Sequence, residues 1–180
     1  ILVSCAILLY SILVFVTMPV WVSITCCALM GLTFASIGFN VMHDGAHGSY
    51  SSNKTLNNLM SYSLNLMGGS SFMWKVKHNH VHHSFTNIDG VDDDIDIRPF
   101  MRVNEQQKRY WFHRFQHVYS FLLYGATYFM WIFWMDFQKY FTHKIGPTPI
   151  RKMKLSEHIG FWVTKLSYIG LFIGLPVFFK

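Results

Sequence analysis

The chain has 180 residues, of which 52% are hydrophobic and only 13% charged, with a formal net charge of +6. Soluble chains carry roughly a quarter charged residues, so an ordinary soluble domain is a poor reading and an integral membrane protein the economical one. The basic excess of such proteins normally sits in cytoplasmic Lys and Arg, so nucleic acid is not called for, and Cys5, Cys26 and Cys27, all in apolar stretches, form neither a disulfide framework nor a thiolate metal motif.

Residues 1–42 contain no Asp, Glu, Lys or Arg. They divide at Met18-Pro19 into two apolar runs, 1–17 and 20–41. A helix needs roughly 20 residues to cross the hydrocarbon core. The second run is long enough; the first is expected to be cut short. Pro19 suits the start of a new helix after a tight turn. The expectation is a transmembrane hairpin over 1–42 whose second helix delivers His43 to the membrane surface. Residue 1 already lies in an apolar run, with no start Met, signal n-region or cleavage site, so the chain is expected to be a fragment of a longer protein.

His43 and His47 follow in His-Asp-Gly-Ala-His, at the i, i+4 spacing that puts two imidazoles on one helical face; Asn40 falls at helical spacing from both. Gly48 and Ser49 allow that helix to end. Residues 51–69 mix Asn and Ser with Leu and Met, which fits an interfacial amphipathic helix better than a crossing one. After Gly68-Gly69-Ser70-Ser71 comes Trp74-Lys-Val-Lys-His78-Asn-His80-Val-His82-His83. His78 and His82 repeat the i, i+4 spacing. On an α-helix His83 points about 100° away, and His80 falls about 200° from His78, the weakest of the four.

Residues 84–114 are the most polar part, with Asp89, Asp92, Asp93, Asp94 and Asp96 ahead of Arg98, Arg102, Lys108 and Arg109, and with Pro99 against one continuous helix. Residues 43–114 are therefore read as a cytosolic histidine-bearing region. Residues 115–136, whose core 118–135 is uncharged and crowded with aromatic side chains, are a transmembrane or re-entrant helix. If they cross, the loop 136–158 lies opposite the histidines, yet its Lys139, Lys144, Arg151, Lys152 and Lys154 belong in the cytoplasm by the positive-inside rule. The aromatic density suits a helix lying in the interface or re-entering, which keeps that loop on the histidine side. Residues 159–179 form a last transmembrane run, broken by Lys165, expected to snorkel, and by Pro176. The fold class is an all-α integral membrane protein.

Imidazole suits borderline transition metals such as iron, zinc and copper. Two clusters of histidines, each just past an apolar segment, point to a metal site at the membrane surface. A lone interfacial histidine is more often a polar anchor, and His113 and His117 are read that way. His-Glu-x-x-His, Glu-x-x-His pairs, phosphate loops and Gly-x-Ser-x-Gly are all missing.

His-x-x-x-His after a transmembrane hairpin, then Trp-x-x-x-His-Asn-x-x-His-His with aspartates just behind, resembles the membrane fatty acid desaturase family. The run HNHVHHSFTNIDGVDDDID most resembles its front-end, linoleoyl-CoA-desaturase-like branch. The resemblance implies two non-haem iron ions held by histidines, with O₂ as co-substrate, removing two hydrogens from a long acyl chain. Carried over by motif, the metal ligands are His43, His47, His78, His82 and His83; the family's third histidine box has no match here and is expected beyond Lys180. Asp44, Asn79 and Asp92 are expected to orient ligand imidazoles, and Trp74 to wall a substrate tunnel.

The implied partners are a fatty acyl substrate (CoA or lipid ester), an electron donor (cytochrome b5, ferredoxin or a reductase) and the bilayer. Lys75, Lys77, Arg102, Lys108 and Arg109 fit membrane-surface charge better than a headgroup site. The expected location is a bacterial inner membrane, or the endoplasmic reticulum in a eukaryote, with the boxes facing the cytoplasm. Neutral imidazole ligands imply that activity falls in acid. The alternatives are a related di-iron hydroxylase or monooxygenase, which would share the boxes, and a non-enzymatic membrane metal carrier, which would need ionisable groups within its crossing helices.

Overall fold

The computed structural model describes residues 1–180, and almost all of its regular structure is helical. In chain order the helices are α1 (Leu2–Phe15), α2 (Val20–His47), α3 (Lys54–Ser61), α4 (Ser63–Leu66), α5 (Ser71–Lys75, running on through the π-turn Val76–His82), α6 (Trp111–Thr142) and α7 (Leu155–Phe179). Between α6 and α7 a two-stranded hairpin pairs β1 (Lys144–Ile145) with β2 (Thr148–Pro149). Helices α2, α6 and α7 are long and apolar enough to cross a membrane. That agrees with an all-α membrane protein.

The chain forms two compact units, one of residues 1–71 and 161–180 and the other of residues 72–160. In the first, α1 and α2 pack side by side, and the later part of α7 joins them. Phe172 sits among the rings of Tyr10, Phe34 and Tyr168, and the Tyr10 hydroxyl donates to the Leu171 carbonyl. Elsewhere these helices expose large apolar side chains, Trp21 at 80% and Phe178 at 81% among them, as surfaces facing lipid do. Hydroxyls on α2 return to their own helix: Thr25, Thr33 and Ser36 donate to the carbonyls of Trp21, Leu29 and Leu32. The hydroxyl hydrogens of these three residues are thereby kept from facing hydrocarbon.

At 28 residues α2 is about 42 Å long, more than the bilayer core requires. The surplus is its C-terminal part, which carries His43 and His47. It passes through a π-turn, Gly38–Met42, and stops at Gly48, whose φ of +77° glycine adopts without cost. Residues 51–69 form two short helices rather than one amphipathic rod. Asn57, one of the asparagines costly in lipid, is buried: its amide donates to the carbonyls of Gly48 and Ser51 and accepts from the Ser51 N–H.

One expectation about α7 is corrected. Lys165 does not snorkel; it is 3% exposed and donates to the Gly68 carbonyl at 2.8 Å, beside the Asn65–Thr164 hydrogen bond. Pro176 lies within the continuous helix expected over 159–179, just after the π-turn Gly170–Gly174.

The second unit is built around Met73, Val81, Ile145 and Ile150, with Phe72, Val76, Val91, Tyr140 and Met153 packed against them. The histidine-bearing turn and the basic hairpin thus share one core.

Candidate metal centre

In the first unit His43 and His47 lie on one face of α2, ring centroids 4.5 Å apart. What fixes this turn is Gly45, between them. A Cβ there would stand 2.8 Å from the Asn57 carbonyl and the Ser61 amide of α3, so only glycine lets the two backbones come this close. Asp44 reaches His43 Nδ1 only at 3.5 Å, a weak contact. Asn40 has turned back to the Ser36 carbonyl and is exposed, away from the expected shared face.

In the second unit residues Val76–His82 are wound as a π-helix, and the His83 amide bonds the His78 carbonyl five residues back. Widening the turn in this way corrects the α-helical expectation for His83. Residues five apart now nearly overlap, and His83 stands beside His78 instead of diverging from it. The His78 ring is 5.1 Å from that of His82 and 4.8 Å from that of His83. His80 is exposed and makes no ring contact with them. Trp74, one turn earlier, stacks on His78 with centroids 4.5 Å apart and planes at 23°.

The loop behind the turn supplies carboxylates. His82 Nδ1 donates to Asp92, 2.9 Å from Oδ2 and 3.1 Å from Oδ1, and His78 Nδ1 donates to Asp94 Oδ2 at 3.0 Å. Asp92 is 1% exposed and is itself locked by the backbone N–H groups of Asn87 and Asp94. Asp94 is ion-paired with Lys77. Burial works against its charge, but the His78 hydrogen bond and the Lys77 ammonium prevail, and its pKa lies below the ordinary carboxylate value. Asp93, between the two, is ion-paired with the buried Lys139 of α6. Asn79 lies half-buried in the same π-turn, its amide oxygen enclosed.

This arrangement fits a metal held by imidazole. With Nδ1–H given to a carboxylate, His78 and His82 each keep the Nε2 lone pair for a cation, and the carboxylate fixes ring orientation and raises basicity. The ligand-capable atoms of His78, His82 and Asp94 also lie within 4.8 Å of one another. The Lys77 ammonium already on Asp94 opposes a cation there, which favours Asp94 as an orienting group. From the sequence Asp94 is marked only as a member of the aspartate run that could orient histidines, and Lys77 and Lys139 are not marked as site residues. The cluster of aspartates was the only signal for Asp94, and no local pattern marks a lysine some sixty residues downstream.

Two of the remaining histidines have structural partners. His113 is buried; its Nδ1 accepts from the Tyr110 N–H and its Nε2–H donates to the Pro99 carbonyl at 2.8 Å. It is no exposed anchor, and both ring nitrogens are spent. His158 Nδ1 meets the Tyr140 hydroxyl at 2.8 Å.

A sequence profile of the family described as fatty acid desaturase matches residues 19–179. Among curated proteins, an acyl-lipid (8-3)-desaturase of Physcomitrium patens is 40% identical over 93% of this chain and 35% of its own length. An sn-1 linoleoyl-lipid 6-desaturase of Synechocystis is 33% identical over 84% of this chain and 42% of its own. A chloroplastic acyl-lipid (7-3)-desaturase of Chlamydomonas reinhardtii is 35% identical over 84% of this chain and 29% of its own. The chain thus spans well under half the length of these relatives. No solved structure matches it.

Proposed function

Because the chain belongs to the fatty acid desaturase family, we propose that it is part of a membrane-bound acyl desaturase that introduces a double bond into a long acyl chain. The named relatives act on acyl lipids, and a lipid-esterified chain is the substrate class favoured here. The observation that carries the reading is the triple-histidine face of the π-turn, with carboxylates on the Nδ1 atoms of His78 and His82.

His43 and His47, together with His78, His82 and His83, would hold the two iron ions, with further ligands supplied by the rest of the protein. When bound, the metal supplies the oxidising chemistry: O₂ takes two hydrogens from neighbouring methylenes, and an external donor provides two electrons and two protons, giving two waters. Asp92 and Asp94, accepting from the Nδ1–H groups, fix the tautomer that leaves Nε2 toward the metal and aim the rings. Trp74 shields one face of His78 from water and presents an apolar wall to the acyl chain. The boxes face the cytoplasm, where a cytochrome b5, ferredoxin or reductase delivers electrons.

The test uses the full-length protein in membranes supplied with a polyunsaturated-lipid precursor and an electron donor. Mass spectrometry of the products should find loss of two mass units and a new double bond in the wild type, and neither in His82→Ala. A hydroxylated product instead would assign the chain to the hydroxylase alternative. Iron binding without any lipid turnover would favour the metal carrier.

A further inference from the structure

We infer that α6 does not cross the bilayer but lies along its cytoplasmic surface, an aromatic stripe sunk among the acyl chains and its ends held to anionic headgroups. By length and composition it reads as a third span: 32 residues, about 48 Å at 1.5 Å per residue. What argues otherwise is where its two ends are tied.

Near its start, His113 Nε2 donates to the Pro99 carbonyl, Gln116 exchanges two hydrogen bonds with the Arg102 backbone, and the Tyr119 hydroxyl donates to the Phe100 carbonyl. Near its end, Lys139 pairs with Asp93, and Tyr140 packs into the core that contains Val81 and Ile145. Asp93 and Pro99 are six positions apart. Even fully extended, that segment reaches only about 20 Å, whereas the hydrocarbon core is about 30 Å thick.

For α6 to cross, the stretch holding Asp93, Asp94, Asp96 and Arg98 would have to run through lipid alongside it. Non-helical backbone and charged side chains are not tolerated there. Both ends of α6 therefore stay on one side, the side of the histidine turn.

The aromatic content of α6 suits the membrane–water interface. Phe115, Val118, Leu122, Phe129 and Phe133 recur at spacings of three, four and seven and are all exposed, Val118 at 65% and Leu122 at 79%. Gln116, Ser120, Thr127 and Gln138 lie on the other side, interleaved with the exposed aromatic side chains of Tyr124 and Trp134. Exposed cations flank both ends: Lys108, Arg109 and Arg114 before, Lys144, Arg151, Lys152 and Lys154 after. Their charge complements an anionic leaflet, and on one side they all satisfy the positive-inside rule. A helix rich in aromatic side chains with such cationic flanks settles at the headgroup boundary.

The experiment takes the full-length protein with Cys5, Cys26 and Cys27 replaced by Ala, in sealed vesicles of mixed neutral and anionic lipid. Single cysteines at Gln106 and Lys152, both exposed, are labelled with a membrane-impermeant maleimide from each side. Labelling of both positions from the same side is expected; labelling from opposite sides overturns the inference. Spin labels placed singly from Val118 to Phe133 then report depth. A 3.6-residue oscillation that stays in the outer part of the leaflet is expected. A steady descent to the midplane and out again overturns it, as does shielding of the stripe from lipid by a second copy of the chain. None of these readouts depends on iron or on turnover, so the outcome is separate from that of the desaturase reading.

Discussion

Asp92 places its carboxylate 2.9 Å from Nδ1 of His82 while two backbone N–H groups hold that carboxylate from behind. An imidazole so gripped has one tautomer and one orientation, with its Nε2 lone pair committed outward. Replacing Asp92 by Asn keeps the shape but removes the charge and offers a donor where an acceptor is needed. Iron retention by the full-length protein, measured by elemental analysis after dialysis against a weak chelator, should fall about 10–100-fold. Unchanged retention would mean that the carboxylate does not support a ligand.

Lys139 acts one step further back. It neutralises Asp93, which lies between the two aspartates that face histidines. Lys139→Met leaves a largely buried carboxylate without its cation, which costs about 3–5 kcal/mol. A lower melting temperature and weaker iron retention are expected together. Lys139→Arg, which keeps the charge, should recover most of both.

Gly45 is predicted to tolerate no side chain. Gly45→Ala drives a methyl group into the Asn57 carbonyl and the Ser61 amide, and overpacking of this kind costs about 1–3 kcal/mol. Thermal unfolding in detergent should report the loss, while the sidedness of residues 84–110 stays as in the wild type.

His80 and His83 separate the π-helical geometry from an α-helical one. His83→Ala should strip iron, because the ring stands 4.8 Å from that of His78. His80→Ala, at an exposed position, should leave iron content within error of the wild type. The reverse ranking would contradict the helical register described here.

Asp94 sets an acid limit. Its pKa is held below the unfolded value of about 3.9. It therefore contributes stability that is fully present above that value and is lost only as pH falls through the lower, folded-state value. In chelator-stripped protein, hydrogen-exchange protection of residues 84–97 should survive at pH 4 and collapse at lower pH. In Asp94→Asn the protection should be weaker at neutral pH and lack that acid step.

The apolar runs and both histidine motifs were legible because each depends on local spacing: a span is a length of hydrocarbon-compatible sequence, and a box is a turn or two of helix. What escaped was set by hydrogen-bond register or by contacts distant in sequence. The π-turn at Val76–His82 moves His83 beside His78, and no residue type announces a five-residue hydrogen-bond step. Lys165 looked like a snorkelling lysine because its partner, the Gly68 carbonyl, is nearly a hundred residues away. His113 looked like an anchor for the same reason, with Pro99 across a polar loop. The place of α6 could be posed from charge and aromatic content, but its two polar tethers appear only once the chain is folded.

The most direct test of the account is iron stoichiometry in the purified full-length protein, compared between His47→Ala, His82→Ala and the wild type. Two irons per chain in the wild type and loss in both variants is the expected result, since the proposed ligand set draws on both histidine motifs. Iron binding that survives either substitution undiminished would contradict the metal centre, and the desaturase reading of this chain with it.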